Sequence, residues 1–224
     1  MIIAVAQPAS AQTVKITATG TITGIYDAGL FNSSVQIGTP FTYSYLFNYS
    51  VPDTLPDDPT VGSYNGYGAN GATLTFGDYQ FMPNMSSGLG RATINVHDNV
   101  TSSPDEIDLF GVNETATGFS SPHSDAQVNA FGQFTNNSIL SSDALPPLSI
   151  YNLANFHNTG LDGFFVDASL YGDFGQSEVR GTATSLSAEL VNPVPEASTT
   201  VSLGVMLGLG GLALAVRARR RSRA

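Results

Sequence analysis

Neither cysteine nor tryptophan occurs among the 224 residues of this chain. The missing cysteine excludes disulfides, thiolate zinc sites, iron–sulfur clusters and cysteine nucleophiles. A chain of this length buries enough apolar surface to fold as one domain without crosslinks. The missing tryptophan takes away the largest aromatic face, which sugar-binding surfaces favour. Positive charge is scarce over most of the length. Before position 217 only Lys15, Arg91 and Arg180 are basic, against seventeen acidic residues ahead of Pro195. So acidic a body repels phosphate backbones and argues against a nucleic-acid partner. It suits solubility or divalent cations. No G-x-S-x-G is present, and no pair of carboxylates can be singled out for glycosidase work. His97, His123 and His157 are scattered, without a metal-ligand partner at helical or turn spacing.

The C-terminus breaks the acidic pattern. Ala197 to Val216 is a run of twenty uncharged residues. As a helix it rises about 30 Å, the thickness of a bilayer's hydrocarbon core. Arg217, Arg219, Arg220, Arg221 and Arg223 follow at once. By the positive-inside rule that cluster stays cytoplasmic, which puts the body across the inner membrane. A buried core helix does not explain the segment, because it has no amphipathic period and only arginine-rich sequence follows it.

Val194, Pro195 and Glu196, the span 197–216 and the arginine-rich tail 217–224 together resemble the PEP-CTERM sorting signal of exopolysaccharide-producing Gram-negative bacteria. The second proline of that motif is Ala197 here. The resemblance implies recognition by exosortase, a membrane cysteine protease that cuts near the Pro-Glu motif and releases or transfers the body. At the other end, residues 1–11 have an apolar stretch and an Ala9-x-Ala11 site, as a truncated secretory signal peptide does. The expected organisation is a signal remnant over 1–11, an extracytoplasmic domain over 12–191 and a sorting signal over 192–224.

Between these segments the pattern has period two. Val14, Ile16, Ala18, Gly20 and Ile22 alternate with Lys15 and a run of threonines. Ala72, Leu74 and Phe76 share one face, Gly77-Asp78 makes a two-residue turn, and Tyr79 and Phe81 return. Further strands are predicted over 92–96, 107–112, 128–134, 164–171 and 179–190. The prediction is an all-β body, an antiparallel β-sandwich or jelly roll, with a transmembrane helix only at the C-terminus. Its first and last long strands, which share the similar stretches TGTIT (19–23) and RGTAT (180–184), should lie close together. Segments of the body, among them 27–31, 35–41 and 71–81, loosely resemble bodies that precede PEP-CTERM tails, which implies the same β class.

In FTYSYLFNY, alternation sets Phe41, Tyr43, Tyr45, Phe47 and Tyr49 on one face. Thr42, Ser44, Asn48 and Ser50 occupy the other, so the rings are expected in the core with tyrosine hydroxyls at its rim. The alternative is an exposed ligand platform of Tyr43, Tyr45 and Tyr49 for sugar rings. GYGANG (66–71) satisfies G-x-G-x-x-G but precedes a strand, so it reads as a loop. Asp53, Asp57 and Asp58 sit in a proline-broken loop, and Asp98, Asp105, Glu106 and Asp108 form a second acidic group. Loop carboxylates are candidate Ca²⁺ ligands, with Asp53, Asp57 and Asp58 the weak candidates; ordinary surface acids are the simpler reading.

The expected function is that of an exported, non-enzymatic cell-surface or matrix protein associated with exopolysaccharide and biofilm, without a cofactor. A carbohydrate- or Ca²⁺-binding β-sandwich module is the alternative, and a secreted hydrolase a third class.

Overall fold

A computed structural model describes residues 12–26, 30–67, 71–83, 91–98, 105–118, 123–135, 139–157, 163–172 and 175–191. The signal remnant (1–11), Val194-Pro195-Glu196, the span 197–216 and the arginine cluster lie outside the described residues. Among those described, no helix is long and apolar enough to cross a membrane.

Ten strands follow one another: β1 (Thr13–Tyr26), β2 (Pro40–Asn48), β3 (Val61–Tyr67), β4 (Gly71–Phe76), β5 (Tyr79–Pro83), β6 (Arg91–His97), β7 (Glu106–Thr117), β8 (His123–Gln133), β9 (Phe164–Gly172) and β10 (Gly175–Val191). Every pairing is antiparallel. Two single-turn 3-10 helices, Leu148–Ile150 and Leu153–Asn155, are the described helical structure. The all-β expectation therefore holds. The strands form one continuous sheet that curls round a shared core. Along one edge β7 pairs first with β6 and then, through its last residues, with β5; along the other it pairs with β8. The pairings β5-β4-β2-β1-β10-β9-β8-β7 thus return to their start, and β6 with β3 extends the wall beside the first half of β7.

The first and last strands are neighbours, as expected. β1 pairs with β10 from Thr13↔Val191 to Tyr26↔Glu178. The TGTIT and RGTAT stretches face each other there, Thr21 opposite Thr182 and Ile22 opposite Gly181, with register shifts beside Gly20 and Gly24. Their glycines have a packing role. A Cβ on Gly181 would lie 2.6 Å from the Phe41 ring, and one on Gly20 would lie 2.7 Å from the same ring and 2.0 Å from the Thr182 carbonyl oxygen. Two missing side chains make the seat for one phenylalanine.

The aromatic row of β2 faces inward. Phe41, Tyr43, Tyr45 and Phe47 are buried, Tyr49 is half-buried, and Thr42 is exposed. Tyr43, Tyr45 and Phe47 stack in series, with centroids 6.3 and 6.0 Å apart. The Tyr45 hydroxyl does not reach the rim: it crosses the core to donate to the Thr93 carbonyl of β6, 2.9 Å away. Tyr49 and Tyr151 share a hydroxyl–hydroxyl bond of 2.8 Å, and burial pushes the Tyr49 phenol up to about 12. An external stacking platform on Tyr43 and Tyr45 is incompatible with this burial.

GYGANG is not a loop at either end: Gly71 opens β4 opposite Leu46, and Gly66 and Tyr67 belong to β3, with Gly66 opposite Ala92. Alternation is hard to see there because Gly62 and Gly66 replace side chains, while Gly68–Asn70 lie outside the described residues. The outer edge of β3 is covered by its own loop. Thr54 donates its N–H to the Ser63 carbonyl (2.8 Å), and the Asp53 carboxylate accepts the Ser63 N–H (2.8 Å). Bare strand edges invite pairing with other chains, and this loop blocks that route.

Candidate outer-face groove

Strands with an inward face also present an outward one, and on β6 to β10 that face is not uniformly polar. Pairing aligns residues across the strands in rows. In one row Asn95 stands opposite Asp108, Asp108 opposite Phe131, and Phe131 opposite Phe165. In the next, Phe110 stands opposite Asn129, Asn129 opposite Asp167, and Asp167 opposite Arg180. Their neighbours Leu109, Ala130 and Val166 point into the core and are buried, so these rows face outward. They line a groove of about 290 Å³.

The groove's walls are held rigidly. Arg180 makes a two-pronged bond to Asp167, Nε to Oδ1 at 2.8 Å and Nη2 to Oδ2 at 3.0 Å. Its guanidinium lies 4.9 Å from the Phe165 ring centroid, and Glu178 approaches it at 3.6 Å. Paired forks of this kind fix orientation, and the carboxylate raises the arginine's affinity for its proton. Phe131 and Phe165 meet as a cross-strand pair, centroids 5.1 Å apart, with both rings only partly covered. The Asn129 Oδ1 is buried at the groove wall and has no hydrogen-bond partner among the described residues. A buried acceptor without a donor costs stability, and a ligand that brings a donor removes that cost.

At one end of the groove His97, directly opposite Glu106 across β6 and β7, meets Asp108. His97 Nδ1 lies 3.8 Å from the Glu106 carboxylate and Nε2 3.8 Å from that of Asp108. The donor atoms all fall within 4.8 Å of one another. One imidazole with two carboxylates suits a first-row transition ion better than the all-oxygen shell of Ca²⁺. Helical or turn spacing cannot reveal this group, because strand pairing assembles it. Glu106 and Asp108, two apart on one strand, were the legible part.

Asp53, Asp58 and Asp105 have local work. Asp53 also accepts the Leu55 N–H at 2.9 Å. Asp58 accepts the Thr60 N–H and hydroxyl at 2.9 and 2.7 Å, and these bonds hold its carboxyl below the usual range. Asp57 lines a shallow depression in the same loop. Asp105 is buried and accepts the Leu140 N–H at 3.2 Å. The weak Ca²⁺ candidates Asp53 and Asp58 therefore act as turn caps.

No family model, curated protein or solved structure matches this chain.

Asp108 makes the groove sensitive to pH. Burial, then the charge of Glu106, push its carboxyl up to about 6, against a weaker pull from His97. The folded state holds this proton more tightly than the unfolded chain does. Ionised Asp108 therefore costs stability that is absent in acid, grows as pH rises from 3.8 to about 6, and is complete above that window. With 32% of the side chain in water, screening trims the effect to about 1–2 kcal/mol. Asp108→Asn should stabilise the chain by that amount at pH 8 and leave it unchanged near pH 3, as read from denaturant midpoints. Equal effects at both pH values would contradict the account.

Proposed function

We propose that this chain is an exported, non-enzymatic cell-surface or matrix protein that exosortase processes at its C-terminus. The tail carries the reading: Val194-Pro195-Glu196, an uncharged run over 197–216, then five arginines, behind an acidic body. In this reading Arg217, Arg219, Arg220, Arg221 and Arg223 anchor the tail on the cytoplasmic side, and the inner membrane holds the chain until cleavage. The released body then joins the exopolysaccharide or biofilm matrix.

The body's architecture supports such a role. Its last strand ends at Val191, where it pairs with Thr13 in the interior of the sheet. Every described pairing lies ahead of the Pro-Glu motif, so a cut there leaves all of them within the body. Cysteine is not needed to hold it together. We read the curled sheet as a jelly-roll-like sandwich, since β2 reaches across its core to β6 through Tyr45. A carbohydrate-binding module in the same location is the second reading, favoured by the outer groove and its two partly covered phenylalanine rings.

Topology tests the first reading. Alkaline phosphatase fused after Ala224 should be inactive, and a fusion after Val191 active. Replacing the five arginines with glutamate should disturb orientation and retention. A fusion after Ala224 that is active in the periplasm would contradict the proposed orientation.

A further inference from the structure

We propose that the outer groove of β6 to β10 binds a neutral, hydroxyl-rich polysaccharide, with sugar rings resting on Phe131 and Phe165. This goes beyond the sorting signal and rests on the extracytoplasmic location proposed above. Three observations carry it.

The first is the aromatic pair. Phe131 and Phe165 sit on the outward side of strands whose inward side is already a closed apolar core. Phenyl rings offer sugars the same flat C–H-binding face as tryptophan, over a smaller area. The second is the surrounding chemistry. Among the described residues Asn129 Oδ1 has no donor, and Asp108 adds carboxylate oxygens to the lining. Sugar hydroxyls can donate to both. The third is rigidity. The Asp167–Arg180 fork and the stacking of Arg180 on Phe165 hold the groove's shape before a ligand arrives, which lowers the entropy lost on binding.

Charge selects within the class. Asp108, Asp167 and Glu178 outnumber Arg180, whose charge Asp167 already matches. Polysaccharides rich in carboxylate or sulfate are therefore repelled, and uncharged ones are not.

The test uses the full chain in a phosphocholine detergent, because glycoside detergents would compete. Cellohexaose, maltohexaose and mannohexaose are titrated calorimetrically, with polygalacturonate and polylysine as charged probes. At least one neutral hexasaccharide should bind. Phe165→Leu should weaken it about tenfold by removing the flat face while keeping apolar bulk. Asn129→Leu should weaken it as well, and Thr42→Ala, on the outer face of β2, should not. Melting curves on each variant separate lost contact from lost fold. The proposal is overturned if no neutral hexasaccharide binds, if only a charged probe does, if the groove variants bind normally, or if they change self-association instead. Export and processing would remain intact in that event, so failure here is distinct from failure of the sorting-signal reading.

Discussion

Phe47→Ala should destabilise the chain by ~3–5 kcal/mol, the usual cost of emptying a buried phenylalanine site. Phe47 has no exposed surface and lies between Tyr45 and Tyr49, with ring centroids 6.0 and 6.3 Å away. Loss of the ring leaves a void next to two tyrosines whose hydroxyls are tied to Thr93 and Tyr151. Those ties restrain the collapse that would otherwise refill the space. Against a net stability of roughly 5–15 kcal/mol, the change removes a large share. Thr42→Ala, on the exposed side of the same strand, should stay within about 0.5 kcal/mol. Thermal melts of the two variants settle the direction of the row. Equal melting of Phe47→Ala and wild type would place the ring outside the core.

Gly20→Ala should cost about 3 kcal/mol, although it adds a single methyl group. The new Cβ would stand 2.0 Å from the Thr182 carbonyl oxygen, a backbone atom paired across β1 and β10. Side chains rotate away from such overlaps, but a carbonyl inside a sheet moves only with its strand. Gly24→Ala is the control in the same strand: its Cβ would meet nothing closer than the Arg180 Cβ at 3.6 Å. A Gly20→Ala variant that melts with Gly24→Ala would mean that β1 and β10 approach less closely than described.

Alternation revealed which way side chains point, since it depends only on strand geometry. The inward row of β2 and the β4–β5 hairpin at Gly77 were legible from neighbouring residues alone, whereas the meeting of β1 with β10 was expected from the first and last long strands, far apart in the chain. β3 was not, because Gly62 and Gly66 erase its period and its edge is covered through Asp53 rather than through hydrophobic residues. The groove was hidden for a different reason. Phe110, Phe131, Phe165 and Arg180 lie far apart in the chain, and only the registers of β7 to β10 bring them together. The strand densest in aromatics, β2, resembles a platform in sequence, but a core draws aromatics to such a strand. The decisive feature was sparser: single phenylalanines at outward positions such as Phe131, between inward Ala130 and Gly132. The His97, Glu106 and Asp108 group follows the same rule, since a cross-strand pair supplies one of its contacts.

The proposed export of this β-body and its separation from the tail by exosortase are tested directly by intact-mass measurement of the body recovered outside the inner membrane. The comparison is between cells that contain exosortase and cells that lack it. With the enzyme, the recovered body should end close to Glu196 and lack the arginine cluster. Without it, the chain should stay in the membrane fraction with its tail through Ala224. Recovery of the same uncut chain in both strains, or of the body in the cytoplasm, would contradict the account.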